Sequence, residues 1–162
     1  MSRVRTLPKD VRDTCLAYVR GYERRKREYT LRREELLSHS PNNIITIKDK
    51  DDPEDESKHM GAVLPSSHSA SRTTEDVTLK LQGLEEQLET KRMRAVEYAA
   101  GLIGRDLPED HRKNLVDAIF ISCIQGRRSP FERLRVVGME RSCFYARRMK
   151  FLVDIAKYLE LI

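Results

Sequence analysis

Apolar and aromatic side chains recur every three or four residues from about Lys9 to Leu37, a stretch with no proline and one glycine. This spacing predicts an amphipathic α-helix, because it places all these side chains on one face. Two arginines interrupt the stripe, so we expect a helix that packs locally rather than a strict heptad coiled coil. The stripe consists of Val11, Cys15, Tyr18, Tyr22, Arg25, Tyr29, Arg32 and Leu36.

A second stripe with the same spacing runs from Thr74 to about Ile103 and predicts a second long helix. Thr73 and Asp76 have the spacing of a capping box, which favours a helix start at this point. Because the two stripes are similar in length, we expect the two helices to pack on each other. The second stripe consists of Val77, Leu81, Leu84, Leu88, Lys91, Ala95, Tyr98 and Leu102.

Residues 38–72, between these helices, are rich in Ser, His, Pro and Asn and include an acidic stretch at 49–56. This composition predicts a disordered polar linker. The acidic stretch lacks the central Gly and distal Glu of a calcium loop. Residues 43–47 are apolar enough for one short strand, and the three histidines of this segment have no metal-ligand spacing.

The sequence pattern changes after Gly104. Pro108 and the acidic residues beside it predict the start of a helix, which ends at Gly126. Ser129 and Glu132 have capping-box spacing and predict a further helix, which Gly138 ends after two turns. A last helix is predicted from about Glu140 to Leu159. Its apolar face consists of Phe144, Phe151, Leu152, Ile155, Ala156 and Leu159.

The pattern as a whole predicts an all-α fold, with two long N-terminal helices as a hairpin or coiled coil and a small C-terminal helix-turn-helix domain. The expected parts are a basic helix at 1–38, a linker at 39–72, a second helix at 73–103 and a DNA-binding domain at 104–162.

The composition indicates how large a core the chain can form and in which cellular compartment it is expected. Apolar residues make up 39% of the chain and charged residues 35%, which is lean for a single large core. No apolar run reaches the roughly 18 residues of a membrane span, and no secretory signal is recognised. The three cysteines are widely spaced, so we expect no disulfide framework, no zinc site and a cytoplasmic location.

Positive charge concentrates near the predicted helix-turn-helix. The net charge is +5, yet residues 127–150 alone carry eight Arg or Lys against two Glu, an excess of +6. Such a cluster is typical of a surface that contacts nucleic-acid phosphates, and it is also compatible with a solvated helix face.

The order of elements in residues 132–148 is a short helix, a Gly turn and a basic helix, which is that of a helix-turn-helix. We expect its small core to contain Leu134, Val137, Met139 and Phe144, with Gly138 at positive φ. Side chains on the first turns of the second helix would then face the major groove. The candidate base-reading residues are Arg141, Ser142 and Tyr145, and the candidate phosphate contacts are Arg127, Arg128, Arg133, Arg135, Arg147, Arg148 and Lys150. The alternative is an αα-hairpin with a basic surface.

Residues near the C-terminal end of the sequence resemble those of a known family. Residues 142–148, Ser-Cys-Phe-Tyr-Ala-Arg-Arg, are followed at 155–161 by Ile-Ala-Lys-Tyr-Leu-Glu-Leu, and 72–75, Arg-Thr-Thr-Glu, lie near the start of the second long helix. With the basic first helix and polar linker, this arrangement resembles the RinA/ArpU group of phage and prophage transcriptional regulators. The resemblance implies a sigma-factor-like DNA-reading end and activation of late or packaging genes. Glu140 stands where that group usually has Ser or Thr, and Glu160 where it usually has Gly.

Other functions are less well supported by the sequence. No phosphate-binding loop or nucleophile with readable spacing is present, and the one histidine outside the linker is His111, so we expect no enzyme, cofactor or metal. A DNA-recognition protein of phage packaging, similar to a terminase small subunit, or a structural helical oligomer is an alternative. Double-stranded DNA is the expected partner, with RNA polymerase and a second copy of the chain as further candidates. Three tyrosines of the first helix, Tyr18, Tyr22 and Tyr29, fit helix packing better than stacking with single strands.

Overall fold

The computed structural model describes residues 7–38 and 67–162; for residues 67–73 and for Arg127 it describes the backbone alone. Within these ranges the chain is all α-helical and contains no strand, which confirms the predicted fold class at that level. The predicted short strand at 43–47 and most of the predicted linker lie outside the described residues. The helices are α1 (Lys9–Arg20), α2 (Tyr22–Ser38), α3 (Ser67–Glu86), α4 (Leu88–Leu102), α5 (Glu109–Gln125) and α6 (Arg141–Tyr158).

The chain divides into two compact units. The first comprises Met1–Glu28 with Glu86–Ile162, and the second comprises Tyr29–Glu85. The second unit contains the later part of α2 and nearly all of α3. Within it, the Tyr29 hydroxyl donates a hydrogen bond to the Glu85 carboxylate.

The core of the first unit lies between α1, α4, α5 and α6, with α6 packed on both α4 and α1. This core crosses the boundary that the sequence analysis placed at residue 104, because the apolar face of α6 is covered by α1 and α4, which both precede that residue. Its fully buried large side chains are Cys15, Val19, Met93, Val96, Leu115, Ile119, Cys123, Phe144, Phe151, Leu152 and Ile155. Aromatic contacts tie the helices together, with the Phe120 and Phe151 ring centroids 5.6 Å apart.

The predicted single helix at 9–37 consists of two helices that meet at Gly21. The Gly21 N–H still donates to Ala17 O at 3.1 Å, and helical bonding resumes with Arg25 N–H to Gly21 O at 3.2 Å. The Arg25 guanidinium lies against this glycine, where a Cβ would stand 2.7 Å from Nη1. Glycine therefore leaves the space into which a buried arginine folds back.

The predicted helix at 74–103 also consists of two helices, because Gln87 takes an extended conformation (φ −60°, ψ 140°). The predicted start at Thr74 is wrong, since α3 begins at Ser67. No Gly or Pro occurs between Ser67 and Thr73, so nothing in that stretch stops a helix.

Within the first unit, two residues of the first predicted stripe contact the second predicted helix. Arg25 Nε donates to Glu89 Oε2 at 2.5 Å, and the Tyr22 hydroxyl lies 3.2 Å from Glu97 Oε1. These contacts lie within one chain, but Glu89 and Glu97 do not belong to the second predicted stripe.

The turn between α4 and α5 is held by side chains of α5. Arg112 donates from Nε to Ile103 O at 3.0 Å and from Nη2 to Gly101 O at 2.9 Å, which satisfies carbonyls at the end of α4. Gly104 has φ +60°, and Leu107 N–H closes the turn on Gly104 O at 3.0 Å. This turn carries Asp106, whose partner is described below.

Candidate nucleic-acid interface

Helix α6 is positioned by its apolar face, as the sequence predicts. Phe144, Phe151, Leu152 and Ile155 are almost completely buried against the other helices of the first unit. The helix begins at Arg141, and its first backbone bond runs from Phe144 N–H to Glu140 O at 3.0 Å. The Glu140 side chain forms no capping hydrogen bond. The side chains that face away from the core are thereby fixed in place by a rigid helix.

The first helix of the predicted helix-turn-helix is not an α-helix. Residues 126–140 form an irregular connection with two single 3-10 turns, Gly126–Arg128 and Phe131–Arg133. Gly126, Arg135 and Gly138 all have positive φ, between 49° and 66°, which interrupts right-handed helix. The β-branched pair Val136 and Val137 further disfavours helix at this point.

The predicted capping box of this connection is also wrong. The Ser129 hydroxyl bonds to the Gln125 side chain, and no side chain caps the turn that follows Pro130. Because Pro130 is extended (φ −65°, ψ 158°), the backbone leaves Ser129 without the geometry of a helix N-cap.

The small core predicted for this motif is correct in part. Phe144 is buried, and the Phe131 ring centroid lies 5.3 Å from its own. Leu134 and Met139 are half-buried against the core, but Val137 is 57% exposed and does not belong to it. Gly138 takes the positive φ that was predicted, at 66°.

The three candidate base-reading residues have different surroundings. Arg141 and Ser142 are exposed on the first turn of α6, whereas Tyr145 is half-buried and its ring packs on Phe144 at 5.3 Å. The Arg141 guanidinium lies 3.4 Å from Glu132 Oε1 and 5.8 Å from the centre of the Tyr145 ring. Arg141 and Ser142 are therefore both accessible, whereas Tyr145 is partly covered.

Exposure along α6 adds two residues that the sequence analysis missed, Cys143 and Ala146. Ser142, Ala146 and Lys150 recur every four residues and are all exposed, so they share one face of the helix. Cys143, next to Ser142, is also exposed. We call Ser142, Cys143, Ala146 and Lys150 the outer face of α6. The sequence does indicate this face, because it lies opposite the apolar face of the helix. Ala146 was missed because the candidates were chosen among charged and polar residues.

Three of the candidate phosphate contacts are exposed and make no ion pair with any residue that the structure describes: Arg128, Arg133 and Arg135. All three lie on the irregular connection that leads into α6. The side chain of Arg127, the fourth candidate on this connection, lies outside the described part of the chain. The exposed cations thus precede the first turn of α6 along the chain.

Arg147 is held by an acid. Its Nη1 and Nη2 donate to Oδ1 and Oδ2 of Asp106 at 2.8 and 2.6 Å, a bidentate pair between α6 and the α4–α5 turn. The Arg147 hydrogen bonds lower the pKa of Asp106 from 3.8 to about 2, and the Asp106 hydrogen bonds raise the pKa of Arg147. Arg147 would have to release this carboxylate to bind a phosphate.

The last two candidate phosphate contacts differ. Arg148 is half-buried, and its Nε is shielded from solvent without a hydrogen-bond partner. The same guanidinium lies close to the Cys123 thiol, whose pKa is raised chiefly by burial. Lys150 is exposed and lies near Asp106 and Asp154. Lys150 is therefore accessible to a ligand, whereas Arg148 faces largely into the first unit.

A cleft of about 360 Å³ runs along the flank of α6 that carries Arg147 and Lys150. Gly104, Arg105 and Asp106 of the α4–α5 turn form one wall. Its remaining lining residues are Leu102, Ile103, Phe151 and Asp154. The cleft is thus a mixed surface of three cations and two acids.

Among the described residues, no helix has both the length and the apolar character that crossing a membrane requires. No family model, curated protein or solved structure matches this chain.

Proposed function

We propose that this chain is a double-stranded DNA-binding transcriptional regulator of the RinA/ArpU type, in which α6 enters the major groove. The observation that carries the proposal is the combination of a small, exposed outer face on α6 with three exposed arginines just before it, Arg128, Arg133 and Arg135, which make no ion pair with any described residue. The excess of +6 positive charge in residues 127–150 also supports DNA binding.

The outer face has chemistry suited to base edges. The Ser142 hydroxyl can donate or accept, and the Ala146 methyl can contact a thymine methyl group. Because Ser142, Cys143 and Ala146 are small, nothing on this face keeps the helix away from the groove floor. Arg141 supplies a guanidinium for guanine once it leaves Glu132, 3.4 Å away.

The irregular connection supplies the positioning charges in this proposal. Arginines on an irregular segment next to a recognition helix bind backbone phosphates, which fixes register without reading sequence. This arrangement does not require the short first helix of a standard helix-turn-helix, because the core of the first unit already fixes α6.

The biological role that we propose is based on the sequence resemblance and on the expected cytoplasmic location. We infer a cytoplasmic regulator that activates phage or prophage late or packaging genes, with RNA polymerase as a candidate partner. A second copy of the chain is a further candidate, since many DNA-reading helices act in pairs on half-sites.

The test uses the full chain and fluorescence anisotropy on a random duplex across a salt series. Binding should weaken steeply with salt, and Arg128→Ala, Arg133→Ala and Arg135→Gly should each reduce the log–log slope by about one. Glycine is chosen at position 135 because φ there is 49°, so the charge is removed without backbone strain. Arg24→Ala, 70% exposed on α2, is the matched control and should leave the slope unchanged.

A second arm addresses sequence reading. After a target is selected from a random library with the wild-type chain, Arg141→Ala should lower the preference for that target over random duplex, whereas Arg128→Ala should weaken both alike. No duplex binding at low salt, or equal effects of Arg24→Ala and the three cluster variants, would refute the proposal.

A further inference from the structure

The cleft beside α6 adds two positive groups, Arg105 and Arg147, to the Lys150 of the outer face. Arg105, Arg147 and Lys150 line it, and the acids that face them are Asp106 and Asp154. Asp154 is half-buried and lies near Lys150 and Lys157, so it already has cationic neighbours. Asp106 is the acid that engages a guanidinium directly.

The Asp106 carboxylate binds Arg147 as a phosphate would. Two oxygens on one atom accept from the two terminal nitrogens of the guanidinium at 2.8 and 2.6 Å. Arginine uses this same fork for carboxylate and for phosphate, because both present paired oxygens at matching spacing. The carboxylate is thus a chemical equivalent of the phosphate group at this position.

The pair lies where a ligand can reach it. The Asp106 side chain is 62% exposed and that of Arg147 is 27% exposed, so the acid is the outer member. Water competes for the exposed Asp106 carboxylate, which limits the strength of the pair even in its bidentate geometry. Exchange of one anion for another at Arg147 therefore needs no opening of the core.

The position of Arg147 on α6 is also suitable for contact with a DNA phosphate. Arg147 lies three residues before Lys150, on the flank of α6 next to its outer face. A helix in the major groove has the backbone phosphates of the two strands along its flanks. Asp106 would stand near one of these rows and repel it while it remains bound to Arg147.

We propose that the cleft is a binding site for one DNA backbone phosphodiester, and that Asp106 occupies this site in the free protein and is displaced when DNA binds. This inference rests on the proposed function. It assigns Arg147 as the primary ligand of that phosphate, with Lys150 and Arg105 beside it, and Asp106 as an internal competitor.

The competing interpretation is that the pair is purely structural and fastens the α4–α5 turn to α6. The two interpretations predict opposite changes in DNA affinity when Asp106 is neutralised. If the pair is structural, neutralising Asp106 leaves DNA affinity unchanged or lowers it. If Asp106 competes with the phosphate, neutralising it raises DNA affinity.

The experiment is a double-mutant cycle in the full chain, with random duplex DNA as the probe and anisotropy as the readout. Asp106→Asn should tighten binding about two- to fivefold, the range that loss of one exposed ion pair supports. The same substitution in an Arg147→Ala background should give no gain, because the site is gone. Asp106→Glu, which keeps the charge, should bind as the wild type does.

The matched control is Asp117→Asn, which removes an equal charge from an exposed position on α5 that does not line the cleft. Its gain should be smaller than that of Asp106→Asn and should persist in the Arg147→Ala background. Thermal unfolding of each variant checks that it is folded at the assay temperature. If Asp106→Asn does not fold, Asp106→Ser replaces it in the cycle.

The outcomes separate the two proposals. A wild-type chain that binds duplex DNA, with Asp106→Asn no tighter than Asp117→Asn, overturns the competitor and leaves the DNA-binding function standing. A gain that survives in the Arg147→Ala background also overturns it, because the effect would then be general electrostatics. A wild-type chain that binds no duplex DNA overturns both.

Discussion

Arg25 reaches back from α2 and donates from Nε to Glu89 Oε2 at 2.5 Å, which joins the start of α2 to the start of α4. Its Nη1 donates to Tyr18 O at 2.9 Å, and its guanidinium lies 5.6 Å from the centre of the Tyr18 ring. The side chain is 9% exposed, although its charge would ordinarily keep it in water. These contacts offset its desolvation and connect α1, α2 and α4.

Arg25→Ala should lower the free energy of unfolding by about 2–3 kcal/mol, because it removes charge-assisted hydrogen bonds and a buried side chain. Chemical denaturation followed by circular dichroism measures this. Arg24→Ala, at the neighbouring exposed position, should change stability by less than about 0.5 kcal/mol. Equal effects of the two substitutions would show that the buried network contributes nothing of its own.

The Asp106–Arg147 pair should make stability sensitive to acid. Because hydrogen bonds from Arg147 lower the pKa of Asp106 to about 2, the unfolded chain takes up a proton at higher pH than the folded chain does. The contribution of the pair is therefore present above the unfolded pKa of 3.8 and is lost as the pH falls toward about 2.

This prediction is measured as the difference in unfolding free energy between wild type and Asp106→Asn across that pH range. The difference should shrink toward pH 2. A wild-type advantage that stays constant down to pH 2 would contradict the assigned pair.

The three cysteines should differ in reactivity. Cys15 and Cys123 are buried, and burial raises the pKa of Cys15 to about 11, so little reactive thiolate forms there. Cys143 is exposed on the outer face of α6. In the native chain a maleimide should label Cys143 rapidly, and the other two after unfolding.

The same reagent tests the DNA interface. Duplex DNA should slow the labelling of Cys143, because the outer face would lie in the groove, and prior labelling with a bulky maleimide should block binding. Mass spectrometry of the labelled chain measures both effects. Labelling that proceeds at the same rate with and without bound DNA would place the interface elsewhere.

Ala146→Glu should abolish duplex binding, because it puts a carboxylate at the centre of the outer face, opposite the bases and phosphates. The folded chain should tolerate the change within about 0.5 kcal/mol, since Ala146 is exposed and Glu is a good helix former. Ala17→Glu, exposed on α1, is the matched control and should bind normally. Wild-type affinity in Ala146→Glu would exclude α6 as the reading helix.

The interpretation of Arg25 shows where sequence reasoning stops. In the sequence, a charged residue in an apolar stripe indicates an interruption of the stripe and disfavours a coiled coil, and periodicity considers only the helix that carries it. The structure buries this arginine, because Glu89, 64 positions away, and the carbonyl of Tyr18 satisfy its donors. The presence of those partners depends on how α2 and α4 pack.

Residues 126–140 show a second limit. The spacing of Ser129 and Glu132 and the glycine at 138 fit a short capped helix, yet the structure has a 3-10 turn and a left-handed Arg135. So short a segment gains little from helix propensity, since helix nucleation is costly. Its path follows the burial of Phe131 against Phe144 instead.

Periodicity by itself determined that the described chain is helical and which face of α6 is buried, because a helix of 3.6 residues per turn must place Phe144, Phe151 and Ile155 together. It also placed the basic residues near the start of α6. Only the tertiary structure decided that Arg147 is bound by Asp106 and that Arg148 turns inward. The physical reason is that burial and ion pairing join groups far apart in sequence, and their geometry arises from the packing of whole helices.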